Sequence, residues 1–101
     1  MRVINREVVE AFWAVHPDAE NRLIAWLNEA DRASWRTSMD IKQQYGSASI
    51  LGNRRVVFNI RGNRYRMVVA VRYTTEESEG TVFIKFAGTH EEYDAIDPVK
   101  I

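Results

Sequence analysis

The chain has 101 residues, with 14 lysines and arginines against 14 acids and no cysteine. That length holds one domain, residues 1–101, with a single modest core. Net neutrality argues against a general nucleic-acid coat. The missing thiols exclude a disulfide framework and a thiolate metal site, which fits a reducing cytoplasm.

Charges at Arg2, Arg6, Glu7 and Glu10 do not read as a secretory signal. No apolar run approaches the roughly 20 residues of a membrane span. The neutral average hides a strong asymmetry, however. Residues 54–73 hold six arginines and no acid, whereas residues 74–97 hold seven acids against Lys85. A local patch on a neutral protein suits a specific contact better than indiscriminate binding.

In chain order, Met1–Ile4 reads as an edge strand, and Asn5 as the cap of a helix over about Arg6–Val15. Val8, Val9, Phe12, Trp13 and Val15 give that helix a broad apolar stripe. His16-Pro17 ends it, because the residue before proline is pushed out of helical geometry. Asp18 is then placed to cap a second helix running to about Ala33, with Leu23, Ile24, Trp26, Leu27 and Ala30 at helical spacing. Two such helices form an antiparallel hairpin that lies on the apolar face of a sheet. Trp13, Trp26 and Trp35 read as packing residues. His16 receives no role.

Thr37-x-x-Asp40 opens a short helix or an irregular crossing that extends to Tyr45. Lys42 in this stretch either flanks the basic face or is plain surface. Ser49–Leu51, followed by Gly52-Asn53, reads as a short strand and turn, or as loop.

The stretch Arg54–Tyr73 is two strands around Gly62-Asn63, a pair that tolerates the positive φ of a tight hairpin turn. Pairing then sets Arg61 against Arg64, Ile60 against Tyr65, Asn59 against Arg66 and Phe58 against Met67. Alternation puts Val56, Phe58, Ile60, Tyr65, Met67, Val69 and Val71 on a core face. Asn59, Arg61, Arg64, Arg66 and Arg72 fall on the other, with Val57, Val68 and Ala70 among them. Like charges facing each other on a sheet cost roughly 0.2–1 kcal/mol per pair. Either the arginines splay into water or an anionic ligand relieves them, and the missing acids favour a polyanion.

After a polar loop, Thr81–Ala87 alternates as a third long strand. Val82, Ile84 and Phe86 are expected in the core, and Phe83, Lys85 and Ala87 on the side of Arg66. Thr89-x-x-Glu92 matches a capping box and opens a short helix with His90 in its first turn and Tyr93 three residues on, on one face. The strand end thus delivers His90 and Tyr93 to the rim of the sheet, near Arg66 and Lys85. Taken singly, His90 reads as an exposed residue and Tyr93 as a packing one; their convergence on a basic face singles them out.

Cleavage of RNA by its own 2′-hydroxyl needs such a set: a group to move protons near neutral pH, fixed cations for charge growing on phosphorus, and a phenol to stack or transfer a proton. No paired-histidine zinc spacing and no glycine-rich phosphate loop is present.

The segments VFNIRGNRYRMVVAVRY and VFIKFAGTHEEYDAID closely resemble the HigB branch of the RelE-like toxins, which pair an FN-x-x-GN-x-x-R hairpin with a TH-x-x-YD ending. Phe58, Asn59, Gly62, Asn63, Arg66, Thr89, His90, Tyr93 and Asp94 carry the likeness. It implies a compact α+β fold: two N-terminal helices on a twisted, mainly antiparallel sheet, with a short C-terminal helix.

It also implies an mRNA interferase that cuts messages on the ribosome without a cofactor, leaving a 2′,3′-cyclic phosphate and a 5′-hydroxyl. The implied partner is a helix-turn-helix antitoxin, through which alone the complex touches DNA. On this chain, Arg66 would bind the scissile phosphate and Lys85 would supply a second cation. His90 and Tyr93 would transfer protons or stack on a base. Asn59, Arg61, Asn63 and Arg64 would track the message or ribosomal RNA. Lys42, Arg54 and Arg55, the nearby cations ahead of the hairpin, would also bind RNA, and an arginine, always protonated, is a poor general base. The competing readings are a non-catalytic RNA- or ribosome-binding module on the same face, and a domain whose basic groove holds an acidic partner segment.

Overall fold

The computed structural model describes residues 1–101 as a five-stranded sheet with its three longer α-helices on one face. The elements are β1 (Arg2–Ile4), α1 (Arg6–Val15), α2 (Glu20–Arg32), α3 (Ser38–Gln44), β2 (Ser49–Ile50), β3 (Arg55–Ile60), β4 (Tyr65–Arg72), β5 (Thr81–Thr89) and α4 (His90–Asp94). The sheet order is β1-β5-β4-β3-β2. Only the β1–β5 pair is parallel. The architecture is therefore the expected α+β one, with β1 at an edge.

The two-residue periodicity of β3 and β4 sets the core. Val56, Phe58, Ile60, Tyr65, Met67, Val69 and Val71 are buried together with Val9, Phe12, Leu23, Trp26 and Leu27 of the helices. Trp26 meets the Phe58 ring edge-on at 5.2 Å, and Trp35 stacks on it at 6.3 Å. Both are buried, and Trp13 packs half-buried against the same cluster. All three tryptophans are thus packing residues.

Three local expectations fail, each for a physical reason. Asn5 does stand before α1, but its backbone is left-handed (φ 72°) and its side chain caps nothing. Its Nδ2 instead donates to the Ile84 carbonyl at 3.2 Å, tying the helix start to β5. Asp18 does not cap α2. It sits inside a 3-10 turn, Pro17–Ala19, and its carboxylate turns toward the sheet.

The third concerns β5, which runs two residues beyond Ala87 and carries a bulge. Val69 pairs with Ile84 but Val68 pairs with Phe86, leaving Lys85 as the extra residue. A bulge breaks alternation, so Phe86 shares a face with Val68, and Ala87, opposite Met67, packs on the core instead.

The chain end doubles back along the face opposite the helices. α4 begins at the Tyr65–Thr89 end of the sheet. The Val99 carbonyl accepts from Asn53 Nδ2 at 2.8 Å, and the Ile101 carbonyl accepts from Arg55, both at the other end. Val57 (1 % exposed) and Val68 (0 %) are also buried, although they lie outside the helix-covered cluster, on the face along which the chain end returns. No helix is long and apolar enough to cross a membrane.

Candidate functional site

Arg66 lies on β4 directly between Asn59 of β3 and Gly88 of β5. Immediately after Gly88 the strand ends in a closed capping box. Thr89 Oγ1 accepts from Glu92 N at 3.1 Å, and Glu92 Oε1 accepts from Thr89 N at 2.8 Å. That backbone hydrogen bond holds the Glu92 carboxylate below its usual range. The box fixes the first turn of α4 and with it His90 and Tyr93.

The three residues converge as the hairpin and the box together require. Arg66 Nη2 is 2.6 Å from His90 Nε2 and donates to Asn63 Oδ1 at 3.1 Å. The Arg66 guanidinium carbon lies 5.0 Å from the centre of the Tyr93 ring, within cation–π range. A guanidinium has no acceptor, so His90 Nε2 accepts. The ring proton is then on Nδ1, which faces Asp94 Oδ2 at 3.8 Å. Arg66 keeps its Nη1 donors free of any partner, and its Nε is buried without one.

Gly88 makes this packing possible. A Cβ there would come within 2.4 Å of the Phe86 ring and 3.2 Å of Glu92 Cβ. Its absence lets the Phe86 ring lie across the strand opposite Arg66. The signal in the sequence was a glycine directly after the strand predicted over Thr81–Ala87, and a glycine within a strand marks a bulge or a close approach.

The other expected site residues are dispersed. Asn59 sits opposite Arg66, but its Nδ2 donates to the Ser47 carbonyl at 3.3 Å and its Oδ1 is buried without a partner. Lys85, exposed at the bulge, is three residues along β5 from Gly88, about 10 Å, and makes no hydrogen bond to Arg66. Lys42 Nζ donates to the carbonyls of Gly46 and Ala48, both at 2.8 Å, and ties down the loop after α3. Arg54 is exposed, and Arg55 donates to the Asn53 and Ile101 carbonyls.

Arg61 and Arg64 do not face each other in the ladder. The last paired residues are Ile60 and Tyr65, and the positive φ falls on Arg61 and Gly62 rather than on Gly62 and Asn63. Both guanidiniums reach one carboxylate: Asp18 Oδ2 accepts from Arg61 at 3.0 Å and from Arg64 at 2.9 Å. Asp18 Oδ1 accepts from the Tyr65 hydroxyl at 2.6 Å. The Tyr65 hydrogen bond, with the two arginines, holds the Asp18 carboxyl below the usual carboxylate range. An acid 43 residues upstream of Arg61 relieves this arginine pair. His16 also has company, its ring stacked on Phe12 at 4.6 Å and 5.3 Å from Tyr65.

Arg66, His90 and Tyr93 line neither of the two concavities of the molecule. A hollow of about 30 Å³ at the edge of β3 is lined by Trp26 and Asn59, whose Nε1 and Oδ1 are unpartnered. A groove of about 460 Å³ opens at the far end of the sheet, around Arg54, Arg55 and Arg72. No three His, Asp or Glu residues are grouped to hold a metal ion. The Arg66 cluster is a surface of one permanent cation, one imidazole and one phenol, suited to binding a phosphate and exchanging protons beside it.

Residues 19–96 match the protein-family model HigB_toxin, described as the RelE-like toxic component of a toxin–antitoxin system. No curated protein matches the chain.

Proposed function

The chain belongs to the HigB family, the RelE-like toxic components of toxin–antitoxin systems, and from that premise we propose that it is a ribosome-dependent mRNA endonuclease. The observation that carries this reading is the convergence of Arg66, His90 and Tyr93 at one end of the sheet. The RNA 2′-hydroxyl gives up its proton and its oxygen attacks the adjacent phosphorus. The bond from phosphorus to the 5′-oxygen breaks, and that oxygen takes a proton. The products are a 2′,3′-cyclic phosphate and a 5′-hydroxyl, and the nucleophile comes from the RNA itself, so no metal-bound water is needed.

Arg66 binds the scissile phosphate through Nη1 and Nη2. When phosphate oxygens take the Nη2 donor, His90 Nε2 is released to handle a proton. Tyr93 serves in proton transfer or stacks on a base, and Lys85 reaches in from the bulge as a second cation. Asn59, Asn63, Arg61 and Arg64 follow the RNA strand, the two arginines with the donors Asp18 leaves free. Lys42 supports the neighbouring loop. The protein acts in the cytoplasm, and its antitoxin is a helix-turn-helix protein that alone contacts DNA.

The test is inducible expression with and without the neighbouring gene, with transcript ends mapped. New 5′-hydroxyl ends inside translated messages are expected, suppressed when the antitoxin is co-expressed. Removing one donor that stabilises transition-state charge typically costs on the order of 10²–10³-fold. Arg66→Ala should lose cleavage on that scale while keeping its melting temperature, and a fully toxic Arg66→Ala would refute the site. Translation arrest without any new ends would mean a module that binds RNA and does not cut it.

A further inference from the structure

A second group of cations occupies the far end of the same sheet face. Arg55, Ala70 and Phe83 form one cross-strand row, and Arg72, Thr81 and Arg2 form the next. Residues in register share a face, as do residues two apart along a strand. Arg54 joins Arg55 and Arg72 in lining a groove of about 460 Å³, with Ala70 and Phe83 also part of its lining.

Arg2, Arg54 and Arg72 take part in no ion pair of the molecule. Arg72 donates only to the hydroxyls of Thr81 (2.8 Å) and Ser78 (3.5 Å). Arg55 donates only to the Asn53 and Ile101 carbonyls, and its Nε is buried without an acceptor. Gathering like charges on adjacent strands is destabilising. Elsewhere the fold matches clustered arginines with an acid, as Asp18 does for Arg61 and Arg64. Here it does not.

We propose that this groove binds the sugar–phosphate backbone of an RNA strand, at a site separate from the cleavage cluster. Planar guanidiniums take phosphate oxygens bidentately, and half-buried Phe83 offers a face for a base. The groove is shallow and open, as an extended polyanion requires. Arg72 is six residues from Arg66 along β4, about 20 Å, and the returning chain end, bonded to Asn53 and Arg55, runs between the two. The proposal rests on the RNA-directed reading of the toxin, but not on cleavage itself.

The test uses a labelled 2′-O-methyl RNA of about twelve nucleotides, within the range that single-strand grooves cover, and a dinucleotide of the same chemistry. Neither can be cut, so the result stands whether or not the protein proves to cleave. Binding is followed by anisotropy across a KCl series for the intact protein, Arg54→Ala/Arg72→Ala and Arg54→Lys/Arg72→Lys. Each phosphate of a single strand that a cation neutralises adds about 0.7 to the slope of log K against log salt, so the alanine pair should be shallower by about 1.4. The lysine pair should keep the slope, and all three should bind the dinucleotide alike.

An unchanged slope in the alanine pair overturns the proposal. So does an equal weakening on the dinucleotide, which would place the effect at Arg66. Inorganic phosphate separates a free-anion site from a backbone site. If it raises the melting temperature of the intact protein but not of the alanine pair, while the RNA slopes agree, the groove holds a small anion and the proposal fails.

Discussion

Asp18 accepts from three side chains, none of them a neighbour along the chain. One carboxylate receives Arg61, Arg64 and the Tyr65 hydroxyl, joining the turn after α1 to the hairpin tip. The same contacts push the Tyr65 phenol up, first through its hydrogen bond to Asp18 and then through burial. The signs follow from linkage. A lowered carboxylate contributes stability above about pH 4 and loses it as pH falls through its folded value. A raised phenol contributes stability below about pH 10 and loses it as pH rises further. Asp18→Asn should therefore lower the melting temperature at pH 7 and flatten its fall at both extremes. Melting curves from pH 3 to pH 11 check this, and parallel profiles for the two proteins would contradict it. The pairing was not legible because a capping role for Asp18 satisfied every local rule. Only the tertiary approach of the hairpin tip makes the acid worth more there than at a helix end.

At the scale of elements, helix and strand identities were legible because their periods differ, 3.6 against 2. The β3–β4 register was legible too, since one buried face fixes it. What periodicity could not show was the bulge at Lys85, which turns Phe86 and Ala87 to the opposite faces from those strict alternation assigns. The site survives that shift because Arg66 and Gly88 pair beyond it and the Thr89–Glu92 box is set by local chemistry alone. Legibility of the Arg66–His90–Tyr93 cluster thus came from two independent short-range signals meeting in space.

The box can be tested by itself. Removing an N-cap side chain costs about 1 kcal/mol, or roughly 4–8 °C in a domain of this size. Thr89→Ala should melt lower by that amount and lose more cleavage than stability, since it frees the first turn holding His90. Gly88→Ala should do the same by overpacking, at about 1–3 kcal/mol, because a methyl there meets the Phe86 ring. A Gly88→Ala protein with unchanged melting and cleavage would mean that the close approach of Phe86 has no part in placing Arg66.

For the whole molecule, the question is what closes the face away from the helices. Val57, Val68 and Ala70 alternate with the arginines there, a pattern that on a bare surface would be an exposed apolar strip. They are buried, and the last residues return over the same end of the sheet to Asn53 and Arg55, where periodicity suggested a bare face. The signal was faint: Ile96, Val99 and Ile101 are apolar, but too irregularly spaced to predict where they pack.

On the RNA-binding readings proposed above, the returning segment would confine a strand to the rims at Arg66 and at Arg72. Val68→Thr distinguishes a covered face from a bare one. A hydroxyl added at a buried apolar site costs about 1–3 kcal/mol, whereas surface substitutions usually stay within about 0.5 kcal/mol. The larger destabilisation is expected in the full chain, read from denaturant midpoints. In a chain shortened after Ala95 the same substitution should cost little, giving a coupling energy between Val68 and the tail of at least about 0.5 kcal/mol, the lower end for residues that touch. An equal cost in both backgrounds would mean that the tail does not cover the sheet, and that the basic face lies open along its length.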